Sequence, residues 1–192
     1  MANLRPFRQY NENDVINLFS FRGTVPLLKG SLVKIKTGWT VHDEFEWESN
    51  VPQEGGANMF PGVVSDRWHV KAEVELNDLA DAPLGMLLYD VKEHDENGEK
   101  LLWHPRKYHE MQVALKGMAV PVLSRGLVLI NTVDTSGGDV VAENVPAYAI
   151  ASGAISTDDT ASGGVSPVRI GTFLGTESGD NQDVLLQLNS IS

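Results

Sequence analysis

The sequence predicts a mainly β fold, a small β-barrel or β-sandwich with an extended N-terminal arm, long loops and few helices. Apolar and polar side chains alternate from Trp68 to Leu76, which is the period of a half-buried strand. Asn97 and Gly98 lie between two strand-like segments and favour a tight hairpin turn, because both tolerate positive φ. Residues 120–130 are rich in β-branched and aliphatic side chains, as buried strands are.

Residues 1–14 are predicted to form the extended arm. They are polar and contain an X-Pro step at Arg5 and Pro6, and the residue before a proline favours extended backbone. Residues 15–192 are then expected to form a single β-rich domain. Within it, residues 37–80 contain three of the four tryptophans, which raises the alternative of an inserted subdomain.

The domain is predicted to begin with a strand over residues 15–21, with Val15, Phe19 and Phe21 on one face. A turn is expected at residues 124–126, between two aliphatic strands. The further predicted strands are 32–36, 85–93, 99–104, 109–120, 120–123, 127–130, 168–174 and 184–188.

The composition excludes several classes of site. The chain has 192 residues, of which 42% are hydrophobic, and it contains no cysteine. Disulfides, thiolate nucleophiles and cysteine metal sites are thereby excluded, and the composition is compatible with assembly in a reducing cytoplasm. The apolar runs are too short to span a membrane, so no membrane partner is expected.

The charge is divided between a basic beginning and an acidic remainder. Residues 1–36 contain six basic and two acidic side chains, a charge of +4, and the remaining residues carry −15, for a net charge of −11. An acidic body disfavours nucleic-acid binding, which needs clustered Lys and Arg against phosphate. A basic leading segment favours docking onto an acidic partner surface, and an ordinary fluctuation of charge is the alternative.

Residues 42–48 concentrate histidine and carboxylates, but strand geometry argues against a metal site there. Side chains on one strand face are about 6.5–7 Å apart, too far for His42 and Glu44 to chelate one ion without ligands from elsewhere. His104 and His109 are expected to be surface residues. The sequence has neither a Gly-x-Ser-x-Gly nor a Gly-x-x-x-x-Gly-Lys motif. It therefore predicts no enzyme activity, no metal site and no cofactor.

Partner-binding residues are expected in the basic and aromatic N-terminal region. Arginine binds carboxylates bidentately, and an aromatic side chain buried at a partner surface contributes on the order of 1–3 kcal/mol. The four tryptophans fill a β core or an interface in the commoner case, and line a carbohydrate groove in the other. The candidate partner-binding residues are Arg5, Phe7, Arg8, Tyr10, Phe19 and Arg22.

The chain contains, in order, DVINLFS at residues 14–20, APLGMLLYDV and DENGEK within residues 82–100, VPVLSRGLV at residues 120–128 and IGTFLG at residues 170–175. In this order and spacing, the stretches together resemble the capsid decoration (cement) proteins of tailed bacteriophages, of the marine phage type. The resemblance extends over most of the chain.

The resemblance implies a virion structural protein on the outer surface of the phage head, assembled in the host bacterial cytoplasm. Such a protein binds the major capsid protein, stabilises contacts between capsid subunits and associates with itself as a homotrimer, without catalysis or a cofactor. The alternatives are a phage tail, head-fibre or baseplate component, a carbohydrate-binding β module with tryptophan stacking platforms, and a metal-assisted hydrolase using His42, Glu44 and His109.

Overall fold

The fold of the described residues is mainly β, as predicted. The computed structural model describes residues 4–6, 11–37, 72–79, 81–131, 133–134, 141–159, 166–176 and 183–189. These residues form 14 strands and one short α-helix. The strands are arranged in two six-stranded sheets and one two-stranded sheet. Two separate sheets that pack on a shared core correspond to a β-sandwich rather than to one closed barrel.

Each large sheet collects strands from distant parts of the chain. Sheet 1 contains, in spatial order, β1 (Arg5–Pro6), β10 (Arg125–Ile130), β14 (Val184–Asn189), β13 (Val168–Thr176), β11 (Pro146–Ala149) and β12 (Ile155–Ser156). Sheet 2 contains β2 (Val15–Ile16), β9 (Val122–Leu123), β6 (Gly85–Leu87), β4 (Leu32–Thr37), β5 (Glu73–Leu76) and β3 (Ser20–Phe21). The third sheet pairs β7 (Asp90–Val91) with β8 (Val113–Ala114), and α1 (Pro105–Glu110) precedes β8.

Sheet 1 confirms the strands predicted at residues 168–174 and 184–188. On β14 the side chains of Val184, Leu186 and Leu188 are buried, and those of the residues between them are more exposed. This is the alternation of a strand with one face toward the core. Strands β13 and β14 pair antiparallel along most of their length.

Sheet 2 is buried on both faces. On β4, Leu32 packs in the core shared with sheet 1, and its neighbour Val33 packs in a second core on the opposite face. Met86 and Leu87 on β6 alternate in the same way. All four side chains are 0% exposed. Since successive side chains of a strand point to opposite faces, sheet 2 is the middle layer of the domain.

The chain crosses from sheet 2 to sheet 1 at Ser124, and the turn predicted at residues 124–126 is absent. Strand β9 ends one residue before Ser124 and β10 begins one residue after it. Ser124 is buried, and both its N–H (2.8 Å) and its hydroxyl (2.9 Å) donate to the carbonyl oxygen of Asp14. These two bonds satisfy the buried donors of Ser124, so the chain changes sheets without a loop.

Of the predicted extended N-terminal arm, residues 5–6 are extended as strand β1 and, with Leu4, are part of the β domain. Leu4 is 4% exposed and packs in the core shared by the two sheets. Strand β1 pairs antiparallel with β10, with Arg5 opposite Leu129. Residues 11–14 lead through a 3-10 turn into β2. The arm prediction overlooked Leu4, an apolar residue within a polar segment. Residues 1–3 and 7–10 lie outside the described residues.

The strand predicted over residues 15–21 is two strands that belong to different parts of sheet 2. Val15 on β2 packs against the core shared with sheet 1, whereas Phe19 and Phe21 lie in the second core. The three side chains therefore do not share one face, because the chain leaves the strand conformation between Ile16 and Ser20. Strand β2 pairs with β9, and β3 pairs in parallel with β5.

The two ends of the possible inserted subdomain, residues 37–80, lie in sheet 2, and the subdomain itself stays a prediction. Strands β4 and β5 are antiparallel neighbours in sheet 2, with Thr37 opposite Glu73. Residues at both ends of the proposed subdomain are thus part of the main domain. The end of the strand predicted from Trp68 to Leu76 is present as β5, where Val74 is 1% exposed. Residues 38–71 lie outside the described residues.

The turn predicted at Asn97 and Gly98 is confirmed. Gly98 has a φ of +82°, a conformation that glycine adopts without steric cost. Its N–H donates to the carbonyl oxygen of Asp95 (3.2 Å). A single antiparallel bridge between His94 and Lys100 closes the turn. The long strands predicted on either side of it are not formed.

A 3-10 turn occupies the place of the strand predicted over residues 99–104. Of the strand predicted over residues 109–120, only the part in β8 (Val113–Ala114) is formed, and α1 precedes it. The 3-10 turn comprises Leu101–Trp103. Helix α1 begins with Pro105, whose fixed φ and missing N–H suit the first helical position. In the described ranges, no helix is long and apolar enough to cross a membrane.

We expect Leu4→Ala to destabilise the protein by about 2–5 kcal/mol, the usual cost of truncating a buried leucine. Leu174→Ala is the matched control, because Leu174 on β13 is 38% exposed, and we expect it to cost less than about 1 kcal/mol. Equilibrium unfolding in denaturant measures both free energies. Equal effects of the two substitutions would show that residues 4–6 do not contribute to the fold.

Candidate partner-binding surface

The structure buries Phe19, a predicted partner-binding residue, so little of its side chain is available to a partner. The side chain is 6% exposed and packs in the second core with Phe21. The Phe19 carbonyl oxygen accepts a hydrogen bond from the N–H of Val120 (2.9 Å), which holds the backbone beside another buried residue. From the sequence alone, an aromatic residue in a short apolar segment suits a core and a partner surface equally well. Phe19 lies in the core.

Arg22 lies at the surface, where its charge already has an internal partner. Its Nε is 3.2 Å from Oε1 of Glu73. The other carboxylate oxygen of Glu73 is 3.4 Å from Nζ of Lys36, so Glu73 is shared between two cations. Exposed ion pairs contribute only about 0–1 kcal/mol. Arg22 can therefore exchange Glu73 for a partner carboxylate at little cost.

Of the six predicted residues, the side chains of Phe19 and Arg22 are described, and only that of Arg22 is exposed. Arg5 lies on β1, where its backbone is described. Phe7, Arg8 and Tyr10 lie outside the described residues, and their role stays a prediction. Phe19, in the core, and Arg22, at the surface, therefore differ in what they offer a partner.

Trp103 is the most exposed of the large apolar side chains in the described part of the chain. It is 72% exposed and ends the 3-10 turn that precedes α1. We call residues 93–112 the turn–helix segment, since they include the turn at Gly98, the 3-10 turn and α1. This segment presents Trp103 to the solvent.

The turn–helix segment is anchored next to Trp103. Leu101 is 0% exposed and forms a small core with Val113 and Leu115. The N–H of Leu101 donates to the carbonyl oxygen of Glu93 (3.0 Å). Because Leu101 is two residues from Trp103, its burial fixes the backbone that carries the exposed indole. Such an arrangement limits the conformational entropy that binding would remove.

An ion pair connects the two halves of the turn–helix segment. Nζ of Lys107 on α1 bonds to Oδ2 of Asp95 and lies 3.2 Å from Oε2 of Glu99. The other oxygen of Asp95 accepts bonds from the N–H groups of Asn97 (2.9 Å) and Glu99 (2.7 Å). The Lys107 hydrogen bond lowers the pKa of Asp95, and the Asp95 hydrogen bond raises the pKa of Lys107.

The histidines of the turn–helix segment are exposed, as predicted. His104 and His109 lie at the surface, and the ring of His109 is 4.4 Å from that of Tyr108, centroid to centroid. Among the residues that the structure describes, no three His, Asp or Glu side chains are grouped as ligands of one metal ion. His42 and Glu44 lie outside those residues.

Sequence reasoning grouped Trp103 with the other tryptophans and missed its separate position. The available signal was Pro105, which favours a helix start and therefore a change of direction just after Trp103. The apolar alternation of Met111, Val113 and Leu115 concealed this signal, because it resembles a strand.

No protein-family model, curated protein or solved structure matches the chain. The function is therefore inferred from its residues and from the geometry of the turn–helix segment.

We expect Asp95→Asn to destabilise the protein at neutral pH and to have a smaller effect in acid. Asparagine keeps an oxygen for the backbone N–H donors but loses the charge that faces Lys107. The pKa of Asp95 is lowered from the ordinary value of 3.8. Its stabilising contribution is thus present above that value and is lost as the pH falls through the lowered pKa. Denaturant unfolding of both proteins over this pH range measures the difference.

Glu110→Gln is the control for this experiment. Glu110 is an exposed carboxylate on α1, the helix that carries Lys107. Its substitution is expected to change stability by less than about 0.5 kcal/mol. If Asp95→Asn has the same effect at every pH, its ion pair with Lys107 does not stabilise the fold.

Proposed function

We propose that the chain is a non-enzymatic virion structural protein, a capsid decoration (cement) protein of a tailed bacteriophage. It binds the outside of the phage head and stabilises contacts between major capsid subunits. Two observations support the proposal: the resemblance of the five sequence stretches to this family, and the presentation of Trp103 on an anchored surface segment.

The exposure of Trp103 carries the proposal of a binding protein. A tryptophan side chain buries about 150–250 Å², so covering the 72% that is exposed would remove on the order of 100–180 Å² from water. At about 25 cal/mol per Å², this burial contributes about 3–4 kcal/mol. Tryptophan is enriched among the residues that dominate binding energies. Trp103 is therefore the first residue to test as an anchor.

The proposed partners are the major capsid protein and further copies of this chain in a homotrimer. Several weak contacts in one oligomer combine through effective concentration, so a single anchor in each copy suffices for firm attachment. Arg5, Phe7, Arg8 and Tyr10 are additional proposed contacts, and Arg22 adds a cation at the surface. Assembly takes place in the host bacterial cytoplasm, and the final location is the outer surface of the virion.

A carbohydrate-binding β module is the second candidate, because the exposed indole of Trp103 also suits stacking on a sugar ring. A glycan array with the purified protein separates the two candidates. Saturable binding to a glycan that Trp103→Ala abolishes would favour the carbohydrate module.

Quantitative mass spectrometry of purified virions tests the assignment. We expect a copy number comparable with that of the major capsid protein, because a decoration protein repeats over the whole head. A copy number of only a few per particle indicates a tail, head-fibre or baseplate component instead. Absence of the chain from purified virions contradicts a structural role in the particle.

We expect Trp103→Ala to weaken binding to undecorated heads by about 10- to 100-fold, equivalent to about 1.4–2.7 kcal/mol. Cosedimentation of the purified protein with heads that lack it gives the dissociation constant. Ile35→Ala is the matched control, because Ile35 is also apolar and is 48% exposed on β4. We expect the control to bind like the wild type.

Equal binding by Trp103→Ala and the wild type would remove Trp103 from the capsid contact. Equal weakening by both variants would indicate a general effect of surface hydrophobicity. A circular dichroism spectrum of each variant confirms that the β fold is retained before binding is compared.

A further inference from the structure

A groove lies beside the turn–helix segment, where three stretches of chain meet. Val91 forms an antiparallel bridge with Leu27 on one side and pairs in parallel with Ala114 on the other. Residues 92–96 continue from this point. Because the bridge to Leu27 is antiparallel, residues 25–26 run along one side of residues 92–93. Met111, at the end of the turn–helix segment, also lines the groove.

Apolar and charged side chains line the groove together. Its cavity volume is about 390 Å³, which is near the lower end for small-ligand pockets and suits one long side chain. Met111 is 36% exposed, and a flexible thioether adapts its packing to an incoming group. The apolar lining residues are Val25, Pro26 and Met111. We call the exposed polar lining residues the rim, and these are Glu93, His94 and Glu96.

Two charged groups of the groove are neutralised within the protein. Nζ of Lys92 is 2.8 Å from Oδ2 of Asp90. Asp95 is paired with Lys107, and the Asp95 side chain is only 2% exposed. Neither the ammonium of Lys92 nor the carboxylate of Asp95 therefore determines the charge that an incoming group encounters.

Glu93 and Glu96 set the charge of the rim. Both side chains are exposed, and neither belongs to an ion pair within the described residues. The groove thus combines two available carboxylates with three apolar side chains. An acidic occupant is repelled by these carboxylates, and a purely apolar occupant would desolvate them without compensation.

We propose that this groove docks a basic segment of a partner protein and takes up one arginine or lysine side chain. These side chains have a long apolar stem and a charged head. The stem packs against Val25, Pro26 and Met111, and the head pairs with the carboxylates of Glu93 and Glu96. Charge complementarity between the rim and the basic head selects the occupant.

Only the identity of the partner rests on the proposed function, under which the basic segment belongs to a major capsid subunit. Docking of a basic side chain is a property of the isolated chain. It can therefore be measured without particles.

The test uses the full chain with ¹³C-labelled methionine methyl groups, observed by NMR. The probe is a short capped peptide with one central arginine and no other charge. We expect the Met111 methyl signal, assigned with the Met111→Leu variant, to shift and saturate. The same peptide with citrulline, a neutral isostere of arginine, is expected to give no saturable shift over the same concentrations.

The double variant Glu93→Gln/Glu96→Gln keeps the shape of the rim and removes its charge. We expect it to bind the arginine peptide at least about tenfold more weakly. Glu143→Gln/Asp159→Asn is the charge-matched control, because both residues are exposed and neither lines the groove. We expect the control to change the dissociation constant by less than about twofold, since distant charges are screened.

Equal shifts with the arginine and citrulline peptides, or equal weakening in both double variants, would overturn the proposal. Cosedimentation with undecorated heads then tests the partner. If Glu93→Gln/Glu96→Gln loses the peptide but still binds heads like the wild type, the capsid does not use the groove, and the decoration function is unaffected. If the chain is absent from virions while the arginine peptide binds, the decoration function fails and the groove stands.

Discussion

The two hydrogen bonds from Ser124 to Asp14 hold the sandwich together at the point where the chain changes sheets. Strand β9 of sheet 2 and β10 of sheet 1 are separated by this residue alone. Ser124 is 2% exposed, and a buried donor without an acceptor costs about 1–3 kcal/mol. The acceptor lies 110 residues away in sequence and directly precedes β2, which pairs with β9. The N-terminal region is therefore needed to complete the crossing.

The tight packing of sheet 2 supports the turn–helix segment. Its central strands approach so closely that a Cβ on Gly85 would lie 2.3 Å from the carbonyl oxygen of Leu123. Leu87 and Val91 belong to the second core, and Val91 starts the chain that enters the turn–helix segment. The turn–helix segment thus begins shortly after a residue that is buried in the second core. A surface loop on such a base can present side chains with little loss of entropy on binding.

The alternation of apolar and polar side chains predicted those strands that have only one buried face. Leu186 and Leu188 alternate with polar neighbours, and their strand was predictable for that reason. Where both faces of a strand are buried, as around Leu87, the run of apolar residues does not show which side chains point to which face. The burial of Leu4 and Phe19 depends on partners far away in sequence. Of the candidate surface, Trp103 was visible as a residue type, but its exposure follows from the burial of neighbouring side chains.

Helix α1 joins the two candidate contacts of this surface. Trp103 lies two residues before its first residue, and Met111, which lines the groove, directly follows its last. Six helical residues span about 9 Å, so one partner can cover both positions. Lys107 lies between them and bonds to Asp95, which also lines the groove. The same ion pair therefore sets the position of the helix that carries the indole and the position of the groove rim. The positions of Trp103 and the groove are therefore coupled. A partner that binds one of them finds the other at a fixed distance.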